Sequence, residues 1–75
     1  MEQNSKKYRI SINEHWLGEV CGQLNNLGAL LQDDFVNAQG EISFSAEIPM
    51  NELFKFIEYL NEITDGQGKV EIARN

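Results

Sequence analysis

One strand followed by a proline and a helix constrains the fold more than any other part of this chain. Apolar and polar residues alternate strictly from Ile42 to Ile48, which predicts a strand with one buried face and one wet face. Pro49 ends this strand because proline cannot donate to a sheet ladder. Apolar residues then recur every three or four positions over residues 50–64, which predicts an amphipathic helix. We expect its inner face to carry one stripe of residues, Leu53, Ile57, Leu60 and Thr64. Phe56 and Ile63 are expected at the flank of this stripe.

A second strand and helix precede this pair. Alternation predicts a first strand that starts at Tyr8, and Asn13 is placed to cap the helix that follows. The stripe of that helix is Leu17, Val20, Leu24 and Leu27, and Gly28 is a candidate C-terminal cap. Residues 30–36 predict an edge strand, whose two acids, Asp33 and Asp34, oppose pairing with another chain. Residues 37–40 have the composition of a turn, and Val70 and Ile72 mark a last short strand.

The order of these elements predicts an α+β fold. Strand, helix, strand, strand, helix, strand forms a ferredoxin-like βαββαβ sandwich, a four-stranded antiparallel sheet with two helices on one face. The first and third strands are expected at the centre. We expect residues 1–7 to be a disordered polar N-terminus and residues 8–73 to form a single domain.

Charge limits the classes of partner. Twelve acidic residues against six basic ones give a net charge of −6, which argues against a strong autonomous binder of RNA or DNA. No apolar run is long enough to span a membrane, and the polar start lacks a secretory signal. These features predict a cytoplasmic protein without a membrane partner.

The residues show no catalytic constellation. His15 and Cys21 are single, and neither has a spacing typical of a metal site. The glycines of residues 65–68 lead from a helix into a strand, the reverse of a phosphate-binding loop. We therefore predict a protein that is not an enzyme and that has no cofactor or metal. Three large aromatics could pack structurally or anchor a partner: Trp16, Phe54 and Tyr59.

Three stretches in order carry a resemblance to a known family. Residues 16–25 are similar to an aromatic-Leu-Gly-Asp-Val-x-Gly-Asp-Leu-Asn helix, and residues 46–54 to Ala-Glu-Val-Pro-Leu-x-Glu-Met-Phe. Residues 64–68 resemble a Thr-Gln-Gly-Arg turn. Together they resemble the C-terminal, fifth domain of elongation factor G and related translational GTPases, which has the same split sandwich. The C-terminal domains of IMPACT-like proteins share the proline-then-helix and Thr-x-Gly patterns but match the first helix less well.

The chain departs from this family where the family carries arginines. The three that follow the positions of Leu24 and Asn25 are replaced by Asn26, Leu27 and Gly28, and two others by Asn61 and Gln67. Arginine makes the charge-assisted contacts that RNA phosphates favour. The resemblance therefore supports the fold more strongly than it supports RNA binding.

The resemblance implies a non-catalytic docking module that associates with the ribosome or with the remainder of a translational GTPase, with weak direct RNA contact if any. The candidate docking surface joins the 65–68 turn to the end of the first helix: Trp16, Asn25, Asn26, Asp65, Gly66, Gln67 and Gly68. The alternative is a free-standing protein-interaction or regulatory domain, with a homodimer as one form. The polar start favours a free-standing domain over an excised one.

Overall fold

The structure is a computed structural model that describes residues 5–72. Its strands are β1 (Ser5–Asn13), β2 (Leu30–Leu31), β3 (Val36–Ala38), β4 (Glu41–Pro49) and β5 (Lys69–Ile72), and its helices are α1 (Leu17–Asn26) and α2 (Leu53–Thr64). A single 3₁₀ turn precedes each helix, Glu14–Trp16 before α1 and Met50–Glu52 before α2.

The sheet is antiparallel and has the predicted centre. Its order is β2-β4-β1-β5, with β3 beside β4 on the same edge as β2. The two central strands pair along their whole lengths, from Ser5 opposite Pro49 to Asn13 opposite Glu41. The ferredoxin-like prediction is confirmed, with the difference that the edge strand predicted over residues 30–36 is two short strands.

The core lies between the sheet and the two helices. The apolar residues of β1 and β4 that alternate with polar ones all face it, and both helices add buried side chains. Its members are Tyr8, Ile10, Ile12, Val20, Leu24, Ala29, Ile42, Phe44, Ala46, Ile48, Phe56 and Leu60. Within residues 5–72, the opposite face of the sheet carries no helix.

The inner face of α2 is rotated from the predicted one. Phe56, placed at the flank by the sequence, is fully buried, whereas Ile57 is only half-buried. The buried line runs through Phe56, Leu60 and Thr64, at a spacing of four residues. Apolar residues stand on both sides of Leu60, so helical periodicity alone could not choose between the two lines.

β1 begins earlier than predicted. Residues 5–7, predicted as part of a disordered tail, belong to the strand, and Lys7 stands opposite Glu47. Opposite charges at such a cross-strand position favour pairing. The rest of the predicted tail, residues 1–4, and residue 73 at the predicted domain end lie outside the described residues.

The predicted turn over residues 37–40 is shorter than expected. Asn37 and Ala38 belong to β3, and the connection is the two residues Gln39 and Gly40. Both have positive φ, 57° and 87°, as the tight hairpin turn between antiparallel strands requires.

The predicted Gly28 ending of the first helix is confirmed, whereas Asn13 caps the 3₁₀ turn before α1 and not α1 itself. The Asn13 side-chain oxygen accepts a hydrogen bond from the His15 backbone N–H at 2.8 Å, at the start of the 3₁₀ turn. At the other end Gly28 has a φ of 82°, and Ala29 N–H donates to the Leu24 carbonyl at 2.9 Å. This is the glycine-dependent Schellman ending. Within residues 5–72, no helix is long and apolar enough to cross a membrane.

Candidate docking site

The 65–68 turn is held by one buried hydroxyl. Thr64 Oγ1 donates to the Leu60 carbonyl at 2.6 Å and accepts from the Gly68 N–H at 3.0 Å. Asp65 and Gly66 both have positive φ, and Gly66 N–H donates to the Asn61 carbonyl at 3.0 Å. The threonine therefore ties the last turn of α2 to the residue that leads into β5.

Gly68 fits where a larger residue would not. An added methyl group at this position would lie 2.8 Å from Cγ of Leu60, which is only 2% exposed. The backbone thus packs directly on the core, and the residues before it are turned outward. Asp65, Gly66 and Gln67 are all exposed and form the tip of the turn.

The predicted docking residues lie at two ends of the domain. We call the first the turn end: here a small open depression is lined by Asn13, Gln39, Gly40, Glu41, Thr64, Gln67 and Gly68. The Glu14 backbone N–H donates to the Gly40 carbonyl at 2.8 Å, so the segment that leads to Trp16 belongs to this end too.

Asn25 and Asn26 lie at the opposite end. They close α1, and the following Gly28 lines a second depression with Ser5, Leu30 and Glu47. Ser5 and Asn13 are the two extremes of β1, which separates the two ends by the length of a nine-residue strand. The prediction of one continuous surface is wrong, because α1 starts near the turn end and finishes at the opposite end of the domain, where Asn25 and Asn26 lie.

The three ambiguous aromatics differ in exposure. Trp16 is half-buried against the core, with its ring edge-on to His15 at 4.9 Å between centroids. Tyr59 is also half-buried, and its hydroxyl donates to the Glu19 carbonyl at 3.2 Å, which joins α2 to α1. Phe54, by contrast, is 76% exposed. Of the three, Phe54 is the one available to a partner without rearrangement.

Sequence reasoning missed a polar cluster on the helix-free face. Asp34 accepts from the Ser45 backbone N–H at 2.9 Å and from the Ser45 hydroxyl at 2.7 Å. Arg9 Nη1 donates to the same carboxylate at 3.0 Å and to the Ser45 hydroxyl at 3.2 Å. Ser45 was expected to face water and is 3% exposed. Alternation of polar and apolar residues gives no signal for such a cover, because the covering residue comes from the broken edge strand.

These hydrogen bonds set the ionisation of Asp34. The two bonds from Ser45 lower the pKa of the carboxyl below its ordinary value of 3.8, and the Arg9 charge lowers it further. Burial raises the pKa of the Cys21 thiol, which disfavours the reactive thiolate. Within residues 5–72, no three histidine, cysteine or acidic side chains converge as metal ligands would.

Comparisons with known proteins identify relatives of the chain at the level of sequence. No protein-family model matches the chain. Elongation factor G of Alteromonas mediterranea is 34% identical over 71% of the chain, and elongation factor G 2 of Photobacterium profundum is 30% identical over 75%. Elongation factor G 2 of Saccharophagus degradans is 29% identical over 84%. The chain is similar to a C-terminal-type domain of elongation factor G. It spans 8% of the first two relatives and 9% of the third.

The similarity to elongation factor G confirms the resemblance and indicates a translation-factor domain. The structure also explains two of the missing family arginines. Leu27 is half-buried against the core, so an arginine there would lose apolar packing, and Gly28 has positive φ, so an arginine there would need a different helix ending. Asn26, Asn61 and Gln67 are exposed, and nothing in the fold prevents arginine there.

Proposed function

We propose that this domain is a non-catalytic docking module of the translation-factor type, which works in the cytoplasm by associating with the ribosome or with a GTPase body. The observation that carries the proposal is the similarity to elongation factor G over 71–84% of the chain. The turn end supplies the docking surface. Its tip, Asp65, Gly66 and Gln67, is exposed and firmly held by Thr64, so it loses little freedom on binding.

Direct contact with RNA is weak in this proposal. The exposed tip carries an acid and no base, and the whole chain has a net charge of −6. Attraction to phosphate needs cations that release counterions, so binding to the ribosome alone should be of low affinity and should depend little on salt.

Co-sedimentation of the purified chain with ribosomes over a range of salt concentrations tests the proposal. We expect weak binding with a shallow salt slope. Gln67→Glu should weaken ribosome binding, whereas Asn26→Glu, which adds the same charge at the opposite end of the domain, should not. Sedimentation no greater than that of an unrelated acidic domain would overturn ribosome docking, and a steep salt slope would overturn the charge argument.

The non-catalytic part of the proposal has its own test. The domain offers no nucleophile–base pair that the sequence could identify, so we expect no nucleotide hydrolysis by the purified chain. Hydrolysis of GTP or ATP would contradict this expectation if the activity copurified with the domain and its rate changed on substitution of residues in the domain.

The second candidate function is a free-standing protein-interaction domain, which the exposure of Phe54 favours. A homodimer is one version of it. Pairing through the 30–36 edge is opposed because Asp34 already occupies the Ser45 N–H on that side of β4. Sedimentation over a concentration series tests for the homodimer, and a protein that stays monomeric at high concentration would rule the homodimer out.

A further inference from the structure

The outward face of α2 begins with an uncovered apolar surface. Phe54 is 76% exposed and Met50, four residues earlier, is 46% exposed. Met50 belongs to the 3₁₀ turn that leads into α2, so both side chains are exposed at the N-terminal end of the helix. The helix does not need Phe54 for its own packing, because Phe56 and Leu60 fill the inner face. A large aromatic left in water, with a second exposed apolar residue at the same end of the helix, is a feature of interaction surfaces.

Acids continue the same face. Glu58, Glu62 and Asp65 follow Phe54 at helical spacing, and together with Asn61 they line a shallow depression. The one base of α2, Lys55, lies 3.6 Å from the Glu52 carboxylate. Within residues 5–72, the ion pairs are Arg9 with Asp34 and Lys55 with Glu52, so these three acids are not neutralised there.

An exposed aromatic followed by three acids favours one class of partner. Three adjacent carboxylates repel the phosphates of RNA and of anionic lipid. A second copy of the chain would place acids against acids. A basic protein segment, in contrast, can pair its lysines or arginines with the acids and cover the aromatic with its apolar side chains.

We propose that the outward face of α2 binds a basic amphipathic segment of a partner protein. Phe54 and Met50 pack against the apolar side chains of that segment, and Glu58, Glu62 and Asp65 pair with its cations. The twelve residues of α2 extend about 18 Å. A partner helix of three to four turns matches this length. The inference rests on side chains of α2 and of the residues that flank it, Met50 and Asp65, and it holds whether or not the domain docks on the ribosome.

Nuclear magnetic resonance titration of the isotope-labelled chain tests it, with a synthetic amphipathic peptide of leucine and lysine as the probe. A matched peptide of leucine and glutamate is the control. We expect the lysine peptide to shift the amide signals of residues 50–65, and the glutamate peptide to shift none. Phe54→Ser should weaken binding about tenfold, and its exposure means that the fold should survive the change.

A matched pair of double variants separates a specific face from general charge attraction. Glu58→Lys/Glu62→Lys should abolish most binding, whereas Asp33→Lys/Glu41→Lys changes the charge equally at exposed positions outside α2 and should have a small effect. Equal losses from both pairs, shifts spread over the whole domain, or unchanged affinity of Phe54→Ser would each overturn the proposal. Peptide binding without ribosome co-sedimentation would refute ribosome docking alone.

Discussion

Asp34 takes the place of a backbone partner at the edge of the sheet. Between β2 and β3 the edge is interrupted, and the Asp34 carboxylate accepts the Ser45 N–H that a continuous strand would have paired. A backbone N–H left without a partner beside a buried residue costs free energy. The Asp34 side chain therefore compensates for the interruption of the edge strand, and it also forms an ion pair with Arg9.

We expect Asp34→Ala to reduce the free energy of unfolding by about 1–2 kcal/mol, because it leaves the Ser45 N–H without its acceptor. The effect depends on pH in a defined direction. The folded-state pKa of Asp34 is below its ordinary value of 3.8, so the carboxylate stabilises the fold above that value. This contribution is lost as pH falls through the folded-state pKa. Urea denaturation of both proteins from neutral pH to below 3.8 should show the difference shrinking. Asp33→Ala, which makes none of these bonds, is the control, and a pH-independent difference would contradict the argument.

Thr64 is the residue on which the candidate docking tip depends. Thr64→Val keeps the shape of the side chain and removes the hydroxyl that joins Leu60 to Gly68. We expect a loss of about 1–2 kcal/mol in the free energy of unfolding. Faster amide hydrogen exchange should be confined to the 65–68 turn. Thr64→Ser keeps the hydroxyl and should keep the slow exchange of Gly68; equal exchange in both variants would refute the role of the hydroxyl.

At the scale of the element, two glycine positions with opposite surroundings give a matched prediction. Gly22 lies in α1 with open space around its Cα, whereas a methyl group at Gly68 would meet Leu60 at 2.8 Å. Gly22→Ala should stabilise the domain by about 0.5–1 kcal/mol because alanine favours the helix. Gly68→Ala should cost about 1–3 kcal/mol through overpacking. Thermal denaturation of the two variants should shift the midpoint in opposite directions, and the same sign for both would contradict the packing described.

The elements also show which parts of the fold a sequence can reveal. Strong alternation predicted β4, and Gly28 predicted the end of α1, because these signals are local. Asn13 marked the start of the 3₁₀ turn that leads into α1. The face of α2 and the cover over Ser45 were missed because they depend on residues distant in the chain. The candidate docking residues were chosen by motif, but they lie at two opposite ends of the domain because α1 runs from one end to the other. The local sequence pattern does not indicate the direction in which a helix runs across the sheet.

For the molecule as a whole, charge separates the two proposed kinds of partner. The outward face of α2 is acidic and suits a basic protein, whereas the tip of the turn end is small and lacks the cations that phosphate contact needs. Among the exposed positions where relatives would carry arginine, Asn61 and Gln67 lie near the turn end, and Asn26 lies at the opposite end. Restoring arginine at one end or the other therefore asks which end faces the ribosome.

We expect Asn61→Arg/Gln67→Arg to increase ribosome co-sedimentation at low salt and to steepen the salt dependence. Each new phosphate contact adds a little under one to the slope of log affinity against log salt, roughly 0.7–0.9 per contact. Neither side chain is buried, and the carbonyl of Asn61, not its side chain, accepts the Gly66 N–H, so the turn should be unaltered. Asn26→Arg adds a positive charge at the far end of α1 and should change the slope little. If Asn26→Arg produced the larger gain, the docking surface would lie at the end of the domain that holds Gly28, and the assignment of the turn end would be wrong.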